Sequence, residues 1–326
     1  MIRDFQRILT RSKFTLPIVG LLAVLCWWHG ADMPADSGVA DDGSGWLWNV
    51  VPEVFSGGWT GLCVGGMMAA AMVFLLMELN NSNVLLRVGS RMMGVLLTVL
   101  FAVSFSLHVF CVGHVVGLLG LLSYFCAFAS YQNGGRVYVF VNFLCLSLAS
   151  LFFPPFIFFV PLCWASLALL RSFDLKSFCA SLLGVITPYW CLLAYMVLFD
   201  RYDIIVDYAD VIDGLDWFAY SSLSLHQMLV GILSLVMFVV GGIEFRVHSY
   251  LDKTRIRILY DVVLVLGCGG FLLLGVLPGC YRSLLPFVLV NVAIVSGHHL
   301  AQCFGKVMNV YTLLLLLALV GMIVEL

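Results

Sequence analysis

Apolar runs of fifteen to twenty-five residues recur from residue 14 to residue 325, separated by short polar or charged breaks. Each approaches the ~20 residues a helix needs to cross ~30 Å of hydrocarbon. The runs are continuous, which excludes a membrane β-barrel, whose strands alternate apolar and polar positions. The pattern predicts an all-α fold, a polytopic transmembrane helical bundle. Candidate spans are 14–29, 57–79, 92–110, 112–130, 137–153, 156–170, 177–199, 221–243, 258–277, 284–303 and 307–325. No soluble domain or linker interrupts them, so residues 1–326 read as one membrane domain.

Charge decides the ambiguous middle of the chain. The residues between Arg136 and Arg171 are almost wholly apolar, too many for one span and few for two. A single span would put the two arginines on opposite sides. Two short helices turning at Pro154-Pro155 keep them together, giving a proline-turn hairpin over 137–170. The same argument folds 92–131 into a hairpin near Gly113, between Arg91 and Arg136. With about eleven spans and a cytoplasmic N-terminus, all Lys and Arg except Arg201 and Arg282 fall inside, as the positive-inside rule requires. Arg3, Arg7, Arg11 and Lys13 precede the first run, but Ala31-Asp32-Met33-Pro34-Ala35 is a poor cleavage site, so that run reads as an uncleaved span.

Two outer loops, 30–56 and 200–220, are long enough for structure. The first begins acidic, with Asp32, Asp36, Asp41 and Asp42, and then runs apolar from Trp46 to Phe55, as a stretch lying at the membrane surface would. In the second, Asp203, Asp207 and Asp210 fall at helical spacing opposite Ile204, Ile205, Tyr208, Val211, Ile212 and Leu215, a short amphipathic helix.

Composition agrees with the pattern. The 326 residues are 63% hydrophobic and 10% charged, against roughly 25% charged in soluble proteins. No basic patch with interleaved aromatics points to nucleic acid. The eleven cysteines sit mostly inside apolar runs, with no CxxC and no metal-type spacing.

The candidate chemistry is confined to the ends of the spans. No Asp, Glu, Lys or Arg falls near the middle of one, which argues against a proton-coupled pump. The deep polar groups are neutral (Asn142, Ser147, Thr187, Asn291, Ser296) and read as interhelical hydrogen bonders. His298 and His299 are adjacent and point to different helix faces, so they make a poor metal pair and read as interfacial histidines. The outer carboxylates have two readings, a solvated negative face or a site. In the second, Asp41 or Asp42 is a general base and Asp203, Asp207 and Asp210 line a substrate pocket. Arg201 and Arg282, the outward cations, then bind phosphate, or else anchor headgroups. No metal site and no cofactor is expected, although the carboxylates leave room for a divalent cation.

Three features carry a resemblance over residues 75–200. They are the inner turn Asn80-Asn81-Ser82-Asn83, the hairpin turn Phe153-Pro154-Pro155-Phe156 followed by Arg171-Ser172-Phe173-Asp174, and the stretch from Gly184 to Tyr189. They resemble an uncharacterised family of polytopic inner-membrane proteins of Gram-negative bacteria. More distantly, the block is similar to the C-superfamily membrane glycosyltransferases (GT-C). That similarity implies a lipid-phosphate-linked sugar donor and an acidic base in the first outer loop, where Asp41 and Asp42 stand. The chain departs from the pattern in having Phe153 and Phe156 where a Lys or Arg often flanks the hairpin proline. The resemblance implies an envelope-saccharide transferase in the bacterial inner membrane. Its partners would be membrane lipid, a polyprenyl-phosphate-linked sugar and other membrane proteins. The alternatives are a non-catalytic scaffold of an envelope complex, and a transporter or flippase.

Overall fold

The computed structural model describes residues 14–29, 43–51, 55, 58–86, 90–132, 135–302, 318 and 321. Among them there is no strand. Twelve α-helices follow one another: α1 Thr15–His29, α2 Trp46–Asn49, α3 Gly58–Asn83, α4 Met92–Val103, α5 Val112–Ala129, α6 Arg136–Phe152, α7 Phe159–Leu169, α8 Leu175–Phe199, α9 Asp203–Asp213, α10 Leu225–His248, α11 Thr254–Val276 and α12 Tyr281–Gln302. Six of them, α3, α5, α8, α10, α11 and α12, are long and apolar enough to cross a membrane. The shorter apolar helices α1, α4, α6 and α7 coincide with four further candidate spans. The last candidate, 307–325, lies outside the described residues apart from Ala318 and Gly321.

Helix α12 is apolar on nearly every side and forms the axis of the bundle. Every residue from Ser283 to Ala301 is buried, as expected of a helix with no polar face. Helices α4, α5, α10 and α11 pack around it. Helix α4 has only 12 residues, too short to cross hydrocarbon alone, and ten are buried. Short helices joined by irregular backbone persist in a membrane where protein surrounds them. The expected hairpin is present, but its turn is the 104–111 segment and not Gly113, which already belongs to α5. Glycine at 113 serves a different purpose. A Cβ there would overlap the Arg282 carbonyl and lie 3.0 Å from the Pro286 ring, so it permits the crossing of α5 and α12.

The proline hairpin is also present. Phe153 is extended (φ −139°, ψ 93°), since the residue before a proline is driven out of the helical region. Pro154–Phe158 then make a 3-10 turn into α7. Ser130 and Ser172 hydroxyls stand 3.4 Å apart, and Gln132 N–H bonds the Leu170 carbonyl at 3.5 Å, so α5 and α7 end side by side. Asp174 accepts from Ser177 N–H at 2.6 Å and starts α8. At the same end Arg255 donates to Asn83 Oδ1 at 3.1 Å and lies 5.9 Å from the Tyr131 ring centre. Arg91, Arg136, Arg171, Lys176, Arg246, Lys253, Arg255 and Arg257 thus share one end of the bundle, the basic end. Arg201 and Arg282 belong to the opposite end, the acidic end, which carries the carboxylates of α9. Cysteines placed at Val137 and Phe173, both exposed, are therefore expected to react with an impermeant thiol reagent from the same side of the membrane. Labelling from opposite sides would mean that the hairpin does not return.

Of the deep neutral groups, three join helices. Tyr124 Oη donates to Asn291 Oδ1, Ser296 Oγ to the Met237 carbonyl at 3.0 Å, and Ser147 Oγ to the Val185 carbonyl at 2.7 Å. Thr187 instead bonds its own helix at the Leu183 carbonyl. Asn142 Oδ1 has no hydrogen-bond partner among the described residues.

Candidate functional site

At the acidic end the second outer loop forms the short amphipathic helix that its spacing implies. Helix α9 docks through Ile204, through Leu215 just past its end, both buried, and through Tyr208, whose hydroxyl donates to the Leu151 carbonyl at 2.7 Å. Ile205, Val206 and Ile212 stay exposed, so the apolar positions divide between a face for protein and one for the membrane surface. The stretch at 43–51 lies against the proline hairpin, with Gly45 N–H bonding the Phe152 carbonyl at 2.7 Å. Gly43 has φ +87°, a left-handed conformation that a side chain rarely adopts.

The predicted site residues separate into groups. Asp41 and Asp42 lie outside the described residues. Gly43, next in sequence, is tucked against residue 280: a Cβ there would lie 3.0 Å from Cys280 Sγ and 3.2 Å from the Phe153 ring. Arg282 is two residues further along and half-buried. Its Nε donates to the Ser106 carbonyl at 2.9 Å, fixing the 104–111 turn. Arg201 is engaged elsewhere. Its Nε donates to both oxygens of Asp203 at 3.0 Å, and its Nη2 lies 2.9 Å from Oδ2. That hydrogen bond holds the Asp203 carboxyl below its ordinary value. The pair is exposed, and Arg201 is already matched to a carboxylate. Asp207 and Asp210 lie on the same helix, Asp210 exposed and Asp207 half-exposed. Arg201 is thus engaged by a carboxylate at the surface, and Arg282 by the 104–111 turn.

The sequence reading missed the groove beside this turn. Helices α1, α3 and α4 enclose a fissure of about 740 Å³, and none of its described lining residues is charged. Small residues open it, among them Gly20, Gly66 and Ala70. Thr98 lends a hydroxyl, but that hydroxyl bonds the Gly94 carbonyl at 2.8 Å. Tryptophans mark the acidic end of the fissure. Trp28 and Trp59 have ring centres 5.3 Å apart, and Trp27 stacks on His108 at 4.2 Å. Trp27 Nε1 also donates to the His108 carbonyl at 2.9 Å. His108 is 2% exposed. Its Nε2 lies 3.1 Å from the Ala102 carbonyl, which requires the proton on that nitrogen, and its Nδ1 has no partner among the described residues. Trp27 thus joins the fissure's mouth to His108, and Ser106, two residues before His108 in the same turn, is bonded by Arg282. No spacing in the sequence signals this, because it depends on the placement of four separate segments.

At the basic end the histidines are not interfacial. His298 and His299 are 3% and 7% exposed. They point to different faces, as adjacency on a helix demands, and each meets its own carboxylate, Asp252 and Glu244. Among the described residues no group of three or more His, Cys, Asp or Glu is arranged to hold a metal ion. No protein-family model, no curated protein and no solved structure matches this chain.

Proposed function

We propose that the chain is an inner-membrane protein that handles a lipid-phosphate-linked substrate at its acidic end, as a GT-C-like transferase of envelope saccharides. One observation carries this reading: an uncharged apolar fissure whose mouth rests, through Trp27, on the same 104–111 turn that Arg282 bonds. A long hydrocarbon chain matches the first part and an anionic phosphate matches the second. The buried axis helix supports the same reading against a transporter, because α12 fills the region where a central passage would run. In this proposal the helices and the C-terminal run 307–325 make about eleven crossings, with the N-terminus and the basic end in the cytoplasm. The acidic end then faces the periplasm, with Asp203, Asp207 and Asp210 at the membrane surface.

The chemistry divides among few groups. Asp41 or Asp42 takes the proton of an acceptor hydroxyl, the acceptor oxygen bonds to the anomeric carbon, and the bond from that carbon to the lipid phosphate breaks. The leaving phosphate carries off the electron pair, and the Arg282 guanidinium offsets its charge. Trp27, Trp28 and Trp59 hold the headgroup level, where indole rings prefer to lie.

The fissure can be filled without disturbing the fold. A Cβ at Gly66 would lie 3.8 Å from Trp27 Nε1, an ordinary contact, so Gly66→Ala should be tolerated. Gly66→Phe should occupy the groove. Native mass spectrometry of the full chain, purified from bacterial membranes in mild detergent, is expected to show a bound polyprenyl-phosphate lipid. Gly66→Ala should keep it and Gly66→Phe should lose it. Equal lipid in all three proteins, or none in the wild type, would remove the basis of the reading and leave a non-catalytic scaffold as the better account.

A further inference from the structure

A buried polar contact at the basic end lies outside everything the transferase reading uses. Three segments meet there: the end of α10, the 249–253 link that leads into α11, and the end of α12. The rings of Phe245 and Tyr260 lie 4.6 Å apart. His298 stands steeply tilted to both, 4.7 Å from Tyr260 and 5.3 Å from Phe245. Tyr260 is 1% exposed and His298 3%. Asp252 reaches in from the link. Its Oδ2 lies 3.5 Å from His298 Nε2, and its charge acts on the Tyr260 hydroxyl.

The neighbouring ionisable groups already face one another. Glu244 meets His299 at 3.3 Å and His248 at 2.7 Å, and Arg246 meets Asp261 at 3.1 Å. Asp252 is engaged by further groups as well. Tyr260 Oη and the two ring nitrogens of His298 differ from these, since none makes a hydrogen bond to a described residue. The 3.5 Å approach of His298 to Asp252 is too long for a direct N–H···O bond. Leaving a buried hydroxyl or imidazole without a partner is costly, and such groups are almost always paired with protein or with ordered water.

Few molecules can supply those bonds. A phenol hydroxyl both donates and accepts, a neutral imidazole nitrogen does one or the other, and a carboxylate only accepts. A bare cation cannot donate, and no group of three or more His, Cys, Asp or Glu among the described residues is arranged to hold a metal ion. An anion would be repelled by Asp252. Groups buried this deeply also exclude a bulky ligand. Water is small, and it donates and accepts.

We propose that one ordered water molecule bridges Tyr260, His298 and Asp252, and so joins α11, α12 and the 249–253 link. It accepts from the Tyr260 hydroxyl, donates to the Asp252 carboxylate, and meets His298 Nε2 as donor or acceptor, so it fits either tautomer. Three hydrogen bonds are the usual complement of a buried water. The bridge adds to the direct contact of α12 with α10 through His299 and Glu244 and does not replace it. It holds whatever substrate the acidic end takes.

Tyr260→Phe tests the bridge, because it keeps the ring and removes only the hydroxyl. Loss of an orphaned hydroxyl is neutral or stabilising, whereas loss of one that holds a water is destabilising. The thermal unfolding midpoint of the full chain in detergent is therefore expected to fall by a few degrees in Tyr260→Phe. Tyr250→Phe, at an exposed position of the same link, should leave it unchanged. A crystal structure of the wild type grown from a lipid mesophase, at a resolution that shows ordered water, should place one within hydrogen-bond distance of Tyr260 Oη and His298 Nε2. A midpoint of Tyr260→Phe equal to or above that of the wild type overturns the proposal. So does a structure in which Tyr260 bonds a protein group directly with no water between. A wild-type midpoint that rises when sodium replaces choline at constant ionic strength would put a cation there and overturn it as well.

Discussion

Asp41→Asn or Asp42→Asn, whichever removes the base, is expected to lower saccharide transfer by about 10²–10⁴-fold. Asparagine keeps the size and polarity of the side chain and removes only its capacity to take a proton. The loss should appear in turnover and leave the bound lipid in place, because the fissure lies between α1, α3 and α4. Arg282 needs a more careful comparison. Its Nε–H bonds the Ser106 carbonyl, so Arg282→Ala removes a structural contact as well as a charge. Hydrogen bonds from charged groups contribute about 1.5–3 kcal/mol, and reduced abundance of Arg282→Ala would not by itself report on chemistry. Arg282→Lys is the cleaner variant. It keeps a cation but cannot reproduce the planar fork that, in the proposed reading, would meet phosphate while bonding the Ser106 carbonyl, so turnover per molecule should fall, with protein abundance measured alongside to separate that loss from loosening of the turn. In a deletion strain, complementation by all of Asp41→Asn, Asp42→Asn and Arg282→Ala at wild-type level would sink the transferase reading.

The architecture was legible in the sequence where charge and helix length acted together. The apolar run between Arg136 and Arg171 is too long for one span and short for two, and keeping both arginines on one side predicted the turn at Pro154-Pro155 that the structure contains. The α9 helix followed from the spacing of its aspartates. Reading failed where a residue's purpose lies in a partner distant in the chain. Gly113 looked like a turn residue because glycine often is one, but it permits the close approach of α12. His298 and His299 looked interfacial because they end an apolar run. Asp252 reads as a loop residue and Glu244 as a helix end, and only the folding of three segments brings them to the two rings. The fissure was the least legible feature. Gly20, Gly66 and Ala70 are what any helix–helix contact contains, and nothing local shows that three helices diverge there instead of closing.

Gly113→Ala is expected to be the most damaging single-methyl change in the bundle. A methyl group at this position would overlap the Arg282 carbonyl oxygen and lie 3.0 Å from two carbons of the Pro286 ring. Neither neighbour can rotate away, since one is backbone and the other a ring built into α12. Helices α5 and α12 must therefore move apart along a contact that continues to Gly117, where Phe287 N would lie 3.3 Å from an added Cβ. Overpacking of this kind costs about 1–3 kcal/mol. Alanine's helix propensity opposes it by about 1 kcal/mol, so the sign depends on whether the backbones are truly in contact. The comparison with Gly66→Ala isolates that question, because a methyl at Gly66 meets only ordinary contacts and should gain the propensity term alone. Gly113→Ala should lower the thermal unfolding midpoint in detergent while Gly66→Ala leaves it unchanged or raises it. The displaced carbonyl belongs to Arg282, so Gly113→Ala should also reduce retention of an anionic lipid. A midpoint equal to that of the wild type would mean that α5 and α12 do not meet backbone to backbone.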